Sequence, residues 1–500
     1  MPARAPYVLA IDQGTTGTHV LVFDGRLRLR GKAYQEFRQH FPKPGWVEHR
    51  LDEIWSSVET CIGRALRDAG IRGAQVSAIG ITNQRETVGL WERSPRARAR
   101  APALAPAIVW QDRRTADTCA ALKAQGLEPW VREHTGLVLD PYFSGTKLSW
   151  LLEHVPGART RAESGDVCAG TIDTYLVYRL TAGQAHVTDP SNASRTLLFG
   201  LKSLRWEPAL MEKFGVPPAL LPSVRSSAEV YGTTRGLRVL PDGVPVSGMA
   251  GDQQAALFGQ ACFSPGDAKC TYGTGAFLLM NVGDTPVPST HGLLTTVAWQ
   301  IGGRTTYALE GSAFIAGAAV QWLRDGLGLI SRSSDIETLA RKVKSSEGVV
   351  FVPALSGLGA PHWKPEARGL LWGMDRGTTK AHVARAVLEG VALTVYELAD
   401  AMRKESGRDI GTFRVDGGAS ANALLMQFQA DLLDVPVVRP AQLDSTAVGA
   451  ALLAGLGAGI WAGVDALPVA SRRPTVFRPK MAAPERDRHL ALWRRAVERA

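Results

Sequence analysis

Two similar turns rich in glycine and threonine occur in this chain of 500 residues, one in each half. The first carries Thr15 and Thr16, the second carries Thr274, and each lies between two short apolar segments. Glycine lets a backbone come close to phosphate oxygens, and threonine adds a hydroxyl donor to the backbone N–H groups. One such turn alone is typical of a hairpin. A pair, one from each half, predicts that a polyphosphate is held from both sides.

Two aspartates follow apolar segments and could take part in phosphoryl transfer. Asp252 stands at a predicted helix start, where its carboxylate could accept the proton of a hydroxyl group that attacks a phosphate. The alternative is that Asp252 only caps the helix. Asp12 ends the first predicted strand, and its charge beside phosphates would be costly without a compensating cation or lysine. Mg²⁺, held by one or two carboxylates and by water, meets that need.

Adjacent opposite charges, Arg85 and Glu86, stand at the end of another predicted strand. They could bind vicinal hydroxyl groups, because a guanidinium donates hydrogen bonds and a carboxylate accepts them. The alternative is an ion pair on the surface. Trp110 and Phe277 belong to segments of the same predicted site and could flank a short carbon chain, although aromatic residues are more often part of a core.

A glycine pair, Gly417 and Gly418, precedes another predicted helix. A helix N-terminus attracts anions, so this turn suits the phosphate or sugar of a nucleotide. A tight strand-to-helix turn is the alternative. Neither GxxxxGK[ST] nor GxGxxG occurs in the chain, so the P-loop and dinucleotide-binding folds lack their sequence signals.

Strands and helices must hold these residues in place, and the spacing of apolar residues predicts where they lie. In the first half we expect strands at Tyr7–Ala10, Val20–Phe23, Ala33–Phe37, Val76–Ile81 and Ala107–Trp110, with a helix at Leu51–Ala69. In the second half we expect strands at Val246–Ala250 and Phe413–Val415, with helices at Phe314–Leu323, Thr379–Lys404 and Asn422–Leu433. This alternation favours an α/β fold with parallel strands, in which chemistry gathers beyond the carboxyl ends of the strands.

The length exceeds what one hydrophobic core normally serves, and the repeated turn agrees with a division into two large domains, residues 1–248 and 249–500. The 57 Lys and Arg residues exceed the 47 Asp and Glu residues by 10. Much of this excess is arginine scattered among apolar residues, which favours anionic substrates over nucleic acid. The densest basic segment, residues 93–100, has no interleaved aromatic residue and is expected to be a solvated loop.

The five cysteines are odd in number and lack CxxC spacing, which indicates reduced thiols rather than disulfides or zinc ligands. No apolar run reaches the length of a membrane span, and a first strand beginning near Tyr7 leaves no room for a signal peptide. We therefore expect a soluble, cytoplasmic protein without membrane insertion.

Over essentially its whole length the chain is similar to the carbohydrate kinases named for their FGGY motif. The blocks PYFSGTKLSW at residues 141–150 and GGASANALLMQFQADLL at residues 417–433 are highly specific to that family. The segments NQRET at residues 83–87 and AGDQQAALFGQ at residues 250–260 resemble the branch that acts on glycerol. The resemblance implies two actin-like (ribonuclease H-like) ATPase domains around a central cleft.

The resemblance also implies the chemistry, which is phosphorylation of glycerol by ATP with Mg²⁺ in a homo-oligomer, a dimer or a tetramer. Two alternatives stay open. One is a kinase of another small polyol or ketose, and the other is a nucleotide-driven binding protein like the actin or chaperone branches of this fold.

Carried over position by position, the resemblance assigns a role to each candidate residue. The substrate hydroxyls would be bound by Arg85, Glu86, Tyr142, Asp252 and Gln253, and the carbons would be flanked by Trp110 and Phe277. ATP would be held by Thr15, Thr16, His19, Thr274, Gly317, Gln321, Gly418 and Asn422. Asp252 would serve as the base, and Asp12 would help to place Mg²⁺.

His19 departs from the family pattern, because relatives usually carry arginine at this position. An arginine there would touch the phosphates, so histidine is expected to neutralise their charge less completely. Since histidine titrates near neutrality, His19 predicts an enzyme that responds to pH.

Overall fold

The computed structural model describes residues 6–93, 101–364, 366–441, 444–469 and 474–500. The basic segment for which we predicted a solvated loop lies outside these residues except for Arg93. No helix within the described ranges is both long enough and apolar enough to cross a membrane. The five cysteines are all buried and free, as the sequence predicted.

Strands and helices alternate along most of the chain. Numbered in chain order, the strands are β1 Tyr7–Gln13, β2 Gly17–Asp24, β3 Leu29–Glu36, β4 Glu48–His49, β5 Val76–Asn83, β6 Val88–Glu92, β7 Ala107–Ile108, β8 Val167–Thr171, β9 Val187–Thr188, β10 Phe199–Gly200, β11 Arg205–Trp206, β12 Ser223–Val224, β13 Gly232–Thr233, β14 Pro245–Gly251, β15 Ala268–Tyr272, β16 Ala276–Gly283, β17 Leu294–Ile301, β18 Arg304–Ala313, β19 Val350–Val352, β20 Leu370–Trp372, β21 Phe413–Asp416, β22 Val437–Arg439 and β23 Thr475–Phe477. The helices are α1 Leu51–Asp68, α2 Ala116–Ala124, α3 Glu128–Thr135, α4 Ser144–His154, α5 Ala158–Glu163, α6 Ile172–Leu180, α7 Pro190–Ala193, α8 Pro208–Lys213, α9 Asp252–Gly259, α10 Gly317–Asp325, α11 Asp335–Ala340, α12 Lys380–Ser406, α13 Ala423–Leu433, α14 Ser445–Gly457 and α15 Ala483–Val497.

Helix α1 shows how the apolar period becomes structure. Its apolar residues recur every three or four positions, and this stripe is buried against β2 and β3. Asp52 and Glu53 occupy the first turn and Arg67 the last, which is the charge order that the helix dipole favours. Gly70, with φ of 64°, follows the end of the helix.

The first lobe, residues 6–259, is built on a six-stranded sheet in the order β13-β14-β5-β1-β2-β3. Strands β14, β5 and β1 are parallel, as expected, whereas β2 pairs antiparallel with β1, and β3 pairs antiparallel with β2. The short turn between β1 and β2 explains the difference, because a parallel pair needs a long crossover connection.

The second lobe, from residue 268 onward, repeats this arrangement in a seven-stranded sheet with the order β17-β18-β16-β15-β21-β22-β23. Strand β15 leads into the second Gly/Thr turn, pairs antiparallel with β16 across that turn, and pairs parallel with β21 on its other side. Strand β1 has the same two kinds of neighbour. The repeat that the two turns suggested is therefore a repeat of topology.

Helices α9 and α14 join the lobes. Helix α14 packs on α9 and on β1, β5 and β14 of the first lobe, although it belongs to the second half of the chain. Gly80 makes this contact possible, because a Cβ atom there would collide with the backbone of Ala450. One apolar cluster holds residues of both sheets and both helices. The predicted division after residue 248 falls inside β14 and stays a prediction.

Two elements differ from expectation. The helix predicted at Phe314–Leu323 begins only at Gly317, because Ala316 N donates to Thr274 O and residues 314–316 wrap around the second turn. The strand predicted at Ala107–Trp110 is only β7, and it belongs to a separate four-stranded sheet with the order β4-β7-β6-β8. Both differences come from contacts distant in sequence.

Candidate active site

Three strand ends of the first lobe meet at one edge of its sheet. The register aligns Gln13 of β1 with Asn83 of β5, and Asn83 with Gly251 of β14. The residues that follow these strands are the first Gly/Thr turn, the Arg85–Glu86 pair and Asp252. Parallel strands therefore collect three predicted site segments at one edge.

The second turn lies at the equivalent edge of the second sheet. Strands β15 and β21 are parallel, with Thr271 aligned to Asp416, so the turn at Thr274 and the glycine at 417 are neighbours. Gly417 has φ of 82°, and a Cβ atom there would lie 2.5 Å from Tyr272 O. Only glycine fits this position.

Helix α10 begins beside the same turn. Gly317 N donates to Gly273 O at 3.0 Å, and Ala318 N donates to Thr274 O at 3.0 Å. The exposed Gln321 lies one helical turn further along. Asn422 accepts from Leu425 N at 2.9 Å and thereby caps α13, while the exposed Gly418 opens a 3-10 helix before it.

Lys269 connects Gln253, the residue after Asp252, with the second lobe. Its Nζ donates to Gln253 Oε1 at 2.5 Å and to Thr271 Oγ1 at 2.9 Å. Burial lowers the pKa of Lys269, while the charges of Asp416 and Asp252 oppose that change. Because an ammonium group only donates, it holds the Gln253 oxygen toward itself and leaves the amide N–H₂ free to donate elsewhere.

Arg85 and Glu86 are buried, with exposures of 3% and 1%, so the alternative of a surface ion pair is wrong. The Arg85 guanidinium donates to both carboxylate oxygens of Glu310, at 2.5 and 2.9 Å. Its Nε lies 3.2 Å from Asp252 Oδ1. Burial by itself lowers the pKa of Arg85, but Glu310 and the other nearby groups raise it well above its usual value.

Arg195 is the second cation of this buried cluster. Its Nε donates to Glu86 Oε1 at 2.7 Å, and its Nη2 donates to Glu310 Oε1 at 3.0 Å. Burial raises the pKa of Glu310, but Arg195 and Arg85 together lower it to about 2. For Glu86, burial outweighs the same two arginines, and its pKa is raised.

Sequence reasoning missed Arg195 and Glu310. A signal was available for Glu310, which interrupts the apolar run Tyr-Ala-Leu before it, because a charge in such a strand is almost always paired. Arg195 stands among small polar residues and gave no comparable signal.

An aromatic wall adjoins the charged cluster. Trp110 Nε1 donates to Thr15 Oγ1 at 2.9 Å, and its ring meets Tyr142 edge-on at a centroid distance of 5.6 Å. Tyr142 Oη lies 3.4 Å from Arg85 Nη2. Phe277 is partly exposed on β16, opposite Thr271. Trp110 therefore connects the first Gly/Thr turn with the charged cluster and is more than a core residue.

The polar segment after β7 is different in kind. Asp112 is fully buried, and both of its oxygens accept from Arg114, at 2.8 to 2.9 Å. Arg114 also donates to Glu48 at 2.8 Å. This cluster joins the loop to β4 and has a structural role.

Asp12 is largely buried at the end of β1, and its Oδ2 accepts from Thr446 Oγ1 at 2.5 Å. Burial raises the pKa of Asp12 to about 7, and the charges of Asp252 and Asp444 add to the rise. No group of three or more His, Cys, Asp or Glu residues among the described residues could by itself hold a metal. Asp12 thus suits a cation held by one carboxylate and by other ligands, as Mg²⁺ commonly is.

His19 lies opposite Asp12 in the pairing of β1 with β2, and its side chain is exposed. Its ring contacts Tyr34 at a centroid distance of 4.3 Å. Partial burial lowers the pKa of His19, and Lys32 adds to this effect while Asp444 opposes it. The neutral imidazole is therefore favoured more strongly than in water.

Comparisons with known proteins identify the family and the fold of this chain. Models of the FGGY family of carbohydrate kinases match residues 7–259 with the N-terminal domain and residues 268–458 with the C-terminal domain. The chain is 66% identical to the glycerol kinase of Myxococcus xanthus, over 99% of this chain and 100% of the relative. It is 56% identical to the glycerol kinase of Aromatoleum aromaticum, over 99% of this chain and 98% of the relative.

Among solved structures, the Plasmodium falciparum glycerol kinase with ADP matches with a TM-score of 0.92 and 34% identity, covering 99% of this chain and 98% of the other. The gluconate kinase of Lactobacillus acidophilus matches with a TM-score of 0.87 at 22% identity, covering 99% of this chain and 97% of the other, which supports the fold alone. These matches confirm the predicted α/β fold of two domains. Both halves match the family models and the full-length relatives are more than half identical, so this chain belongs to the FGGY family of carbohydrate kinases.

Proposed function

We propose that this protein transfers the γ-phosphoryl group of ATP to a terminal hydroxyl of glycerol, giving sn-glycerol 3-phosphate and ADP in glycerol catabolism. The observation that carries the proposal is the pair formed by Asp252 and Arg85. The Asp252 side chain is 31% exposed at the strand edge, while its buried partner Arg85 approaches it at 3.2 Å. A carboxylate that can be reached from the cleft is thus oriented by a fixed cation.

Asp252 is proposed as the general base. A carboxylate in this position can accept the proton of the attacking hydroxyl as the new oxygen–phosphorus bond forms. Helix α9 begins at Asp252, and Gln253 N donates to its Oδ1 at 2.7 Å. This hydrogen bond fixes one carboxylate oxygen, so the proposal assigns proton transfer to the other.

The polyol would be recognised by groups of known hydrogen-bonding character. Arg85 and the Gln253 amide N–H₂ donate, Glu86 accepts, and the Tyr142 hydroxyl can do both. Burial is the main reason why the pKa of Tyr142 is raised, so its hydroxyl keeps its proton. Such a set recognises a chain with a hydroxyl on each carbon, and Trp110 together with Phe277 would contact its carbons.

The phosphates would lie between the two Gly/Thr turns, with donors from Thr15, Thr16 and Thr274 and with His19 at the edge. The rest of the nucleotide would be contacted by Gly317, Gln321, Gly418 and Asn422. Asp12 would hold Mg²⁺ through its carboxylate, and the ion when bound would neutralise charge on the phosphate oxygens. The ADP in the Plasmodium falciparum relative supports the assignment of this nucleotide.

The decisive test is a panel of polyols and ketoses in an ADP-release assay, with identification of the product. We expect glycerol to give the highest kcat/KM and glycerol 3-phosphate as the product. A higher kcat/KM on dihydroxyacetone, erythritol or a pentulose would assign the protein to another branch of the family. ATP hydrolysis indifferent to any polyol would contradict kinase function altogether. Cytoplasmic location and a homo-oligomeric state, a dimer or a tetramer, stay predictions.

A further inference from the structure

Four buried side chains form a cluster of charges where the lobes meet, and one of them, Arg85, also contacts Asp252. Arg85, Glu86 and Arg195 come from the first lobe, and Glu310 comes from β18 of the second lobe. None of the four is more than 3% exposed. The two arginines and the two glutamates pair with one another, which offsets part of the large cost of burying any one of these charges alone.

Glu310 controls the orientation of the Arg85 guanidinium. Its two oxygens accept hydrogen bonds from Nη1 and Nη2 of Arg85, and this bidentate arrangement fixes the plane of a guanidinium most strictly. The remaining edge, at Nε, therefore points toward Asp252 Oδ1. Without Glu310 the guanidinium could rotate, and either edge could face the carboxylate.

Arg195 completes the arrangement by joining the two glutamates. It holds Glu86 at 2.7 Å and Glu310 at 3.0 Å, and its guanidinium lies 5.2 Å from the ring centroid of Phe143. Glu86 itself has φ of 60°, a conformation that residues other than glycine rarely adopt. The Arg195 contact therefore holds the side chain of a residue whose backbone is already constrained.

We infer that Glu310 and Arg195 are positioning residues for substrate recognition. Glu310 reaches from the second lobe to orient Arg85, and Arg195 holds Glu86, so polyol affinity depends on how the lobes meet. Neither residue contacts the substrate. The inference rests on the proposed function for the roles of Arg85 and Glu86, but it requires only that some polyol is bound there.

The experiment compares Glu310→Gln with Tyr307→Phe. Both substitutions alter a contact between the lobes from strand β18, because Tyr307 Oη donates to Leu201 O at 3.1 Å. We expect Glu310→Gln to raise the KM and the Kd for glycerol by about 10- to 100-fold, the usual effect of losing a hydrogen bond to a charged group. The KM for ATP should stay within about twofold in both variants. Tyr307→Phe should leave glycerol affinity unchanged.

A double variant separates positioning from general stability. If Glu310 acts through Arg85, then adding Glu310→Gln to Arg85→Ala should weaken glycerol binding no further. The inference would be overturned if the losses of glycerol affinity in the two single variants multiply in the double variant. It would also be overturned if Glu310→Gln folds and binds glycerol with normal affinity. If Glu310→Gln does not fold, the KM for glycerol of Arg195→Lys tests the inference instead, because lysine keeps the charge and loses one of the two contacts of Arg195. A raised KM for glycerol would support the inference, and an unchanged one would overturn it. Should the wild-type protein phosphorylate another polyol and not glycerol, the proposed function fails and the same comparison is made with that polyol.

Discussion

On one side of the candidate site, Arg85, Glu86 and Glu310 are almost completely buried and paired, whereas on the other side Thr16 and Thr274 are exposed. We call these the polyol side and the phosphate side. The phosphate side is organised by backbone hydrogen bonds within each turn, Gly14 N to Gly17 O and Gly273 N to Gly275 O, both 2.9 Å. The polyol side is organised by side chains from both lobes.

The difference follows from the ligands that each side is proposed to bind. A neutral hydroxyl resembles water, so only donors and acceptors in fixed, water-free positions distinguish it from solvent. A phosphate carries several charges and is attracted by any set of N–H donors, so exposed turns suffice. We therefore expect the polyol side to tolerate substitution poorly and the phosphate side to tolerate it better.

The largest effect is expected at the junction of the two sides. Asp252→Asn should lower kcat by about 100- to 10,000-fold, because an amide cannot accept the proton. Stopped-time ADP release measures kcat, and thermal shifts should show that glycerol and ATP still bind. Asp267→Asn, on the loop between α9 and β15, is the control and should keep full activity. Near-normal turnover of Asp252→Asn would remove the base from the proposal.

Breaking the polyol side should affect one substrate only. Arg85→Ala should raise the KM for glycerol by about 100-fold, since it removes charged donors and leaves Glu310 with one partner fewer. The KM for ATP should change little. Arg324→Ala removes a surface arginine paired with Asp325 at 2.7 Å and serves as the control. A loss of ATP affinity with normal glycerol affinity would show that Arg85 has been assigned to the wrong side.

Breaking the phosphate side should have a smaller effect, and it should act on the KM for ATP instead of the KM for glycerol. Thr274→Val keeps the shape of the side chain and removes its hydroxyl, so the KM for ATP should rise by about 10-fold while the KM for glycerol stays the same. The matched control is Thr285→Val, at an exposed threonine of the second lobe. If the KM for ATP is unchanged in Thr274→Val as well as in the control, the backbone alone holds the phosphates.

The smallest effect concerns His19. Because its pKa is lowered from 6.5, the imidazole is neutral at pH 7.5 and gains charge only as the pH falls below 6.5. His19→Arg should therefore lower the KM for ATP at pH 7.5 by about threefold, the usual size of an exposed charge contact. The wild-type KM for ATP should fall toward acid pH, and the variant should lose that trend. An identical pH profile in both proteins would place His19 away from the phosphates.

Local patterns predicted much of the fold. The period of α1, the strands on either side of each Gly/Thr turn and the capped helix α12 depend on residues close in sequence, and they lie where the sequence predicted within a few positions. The predicted start of α10 was wrong, because the hydrogen bond from Ala316 N to Thr274 O makes the helix begin later in the chain. The assignment of β7 to the main alternation was also wrong, because pairing partners of short strands are distant in sequence.

By itself, the sequence determined the repeated strand-turn-strand units, the family and the residues that carry its motifs, because each of these depends on residue type and short spacing. Only the tertiary structure decided that Arg85 and Glu86 are buried and that Arg195 and Glu310 hold them. Burial and ion pairing depend on which distant segments meet. Glu310 lies 225 positions from Arg85 in the chain, and no local pattern shows that their charges share one site.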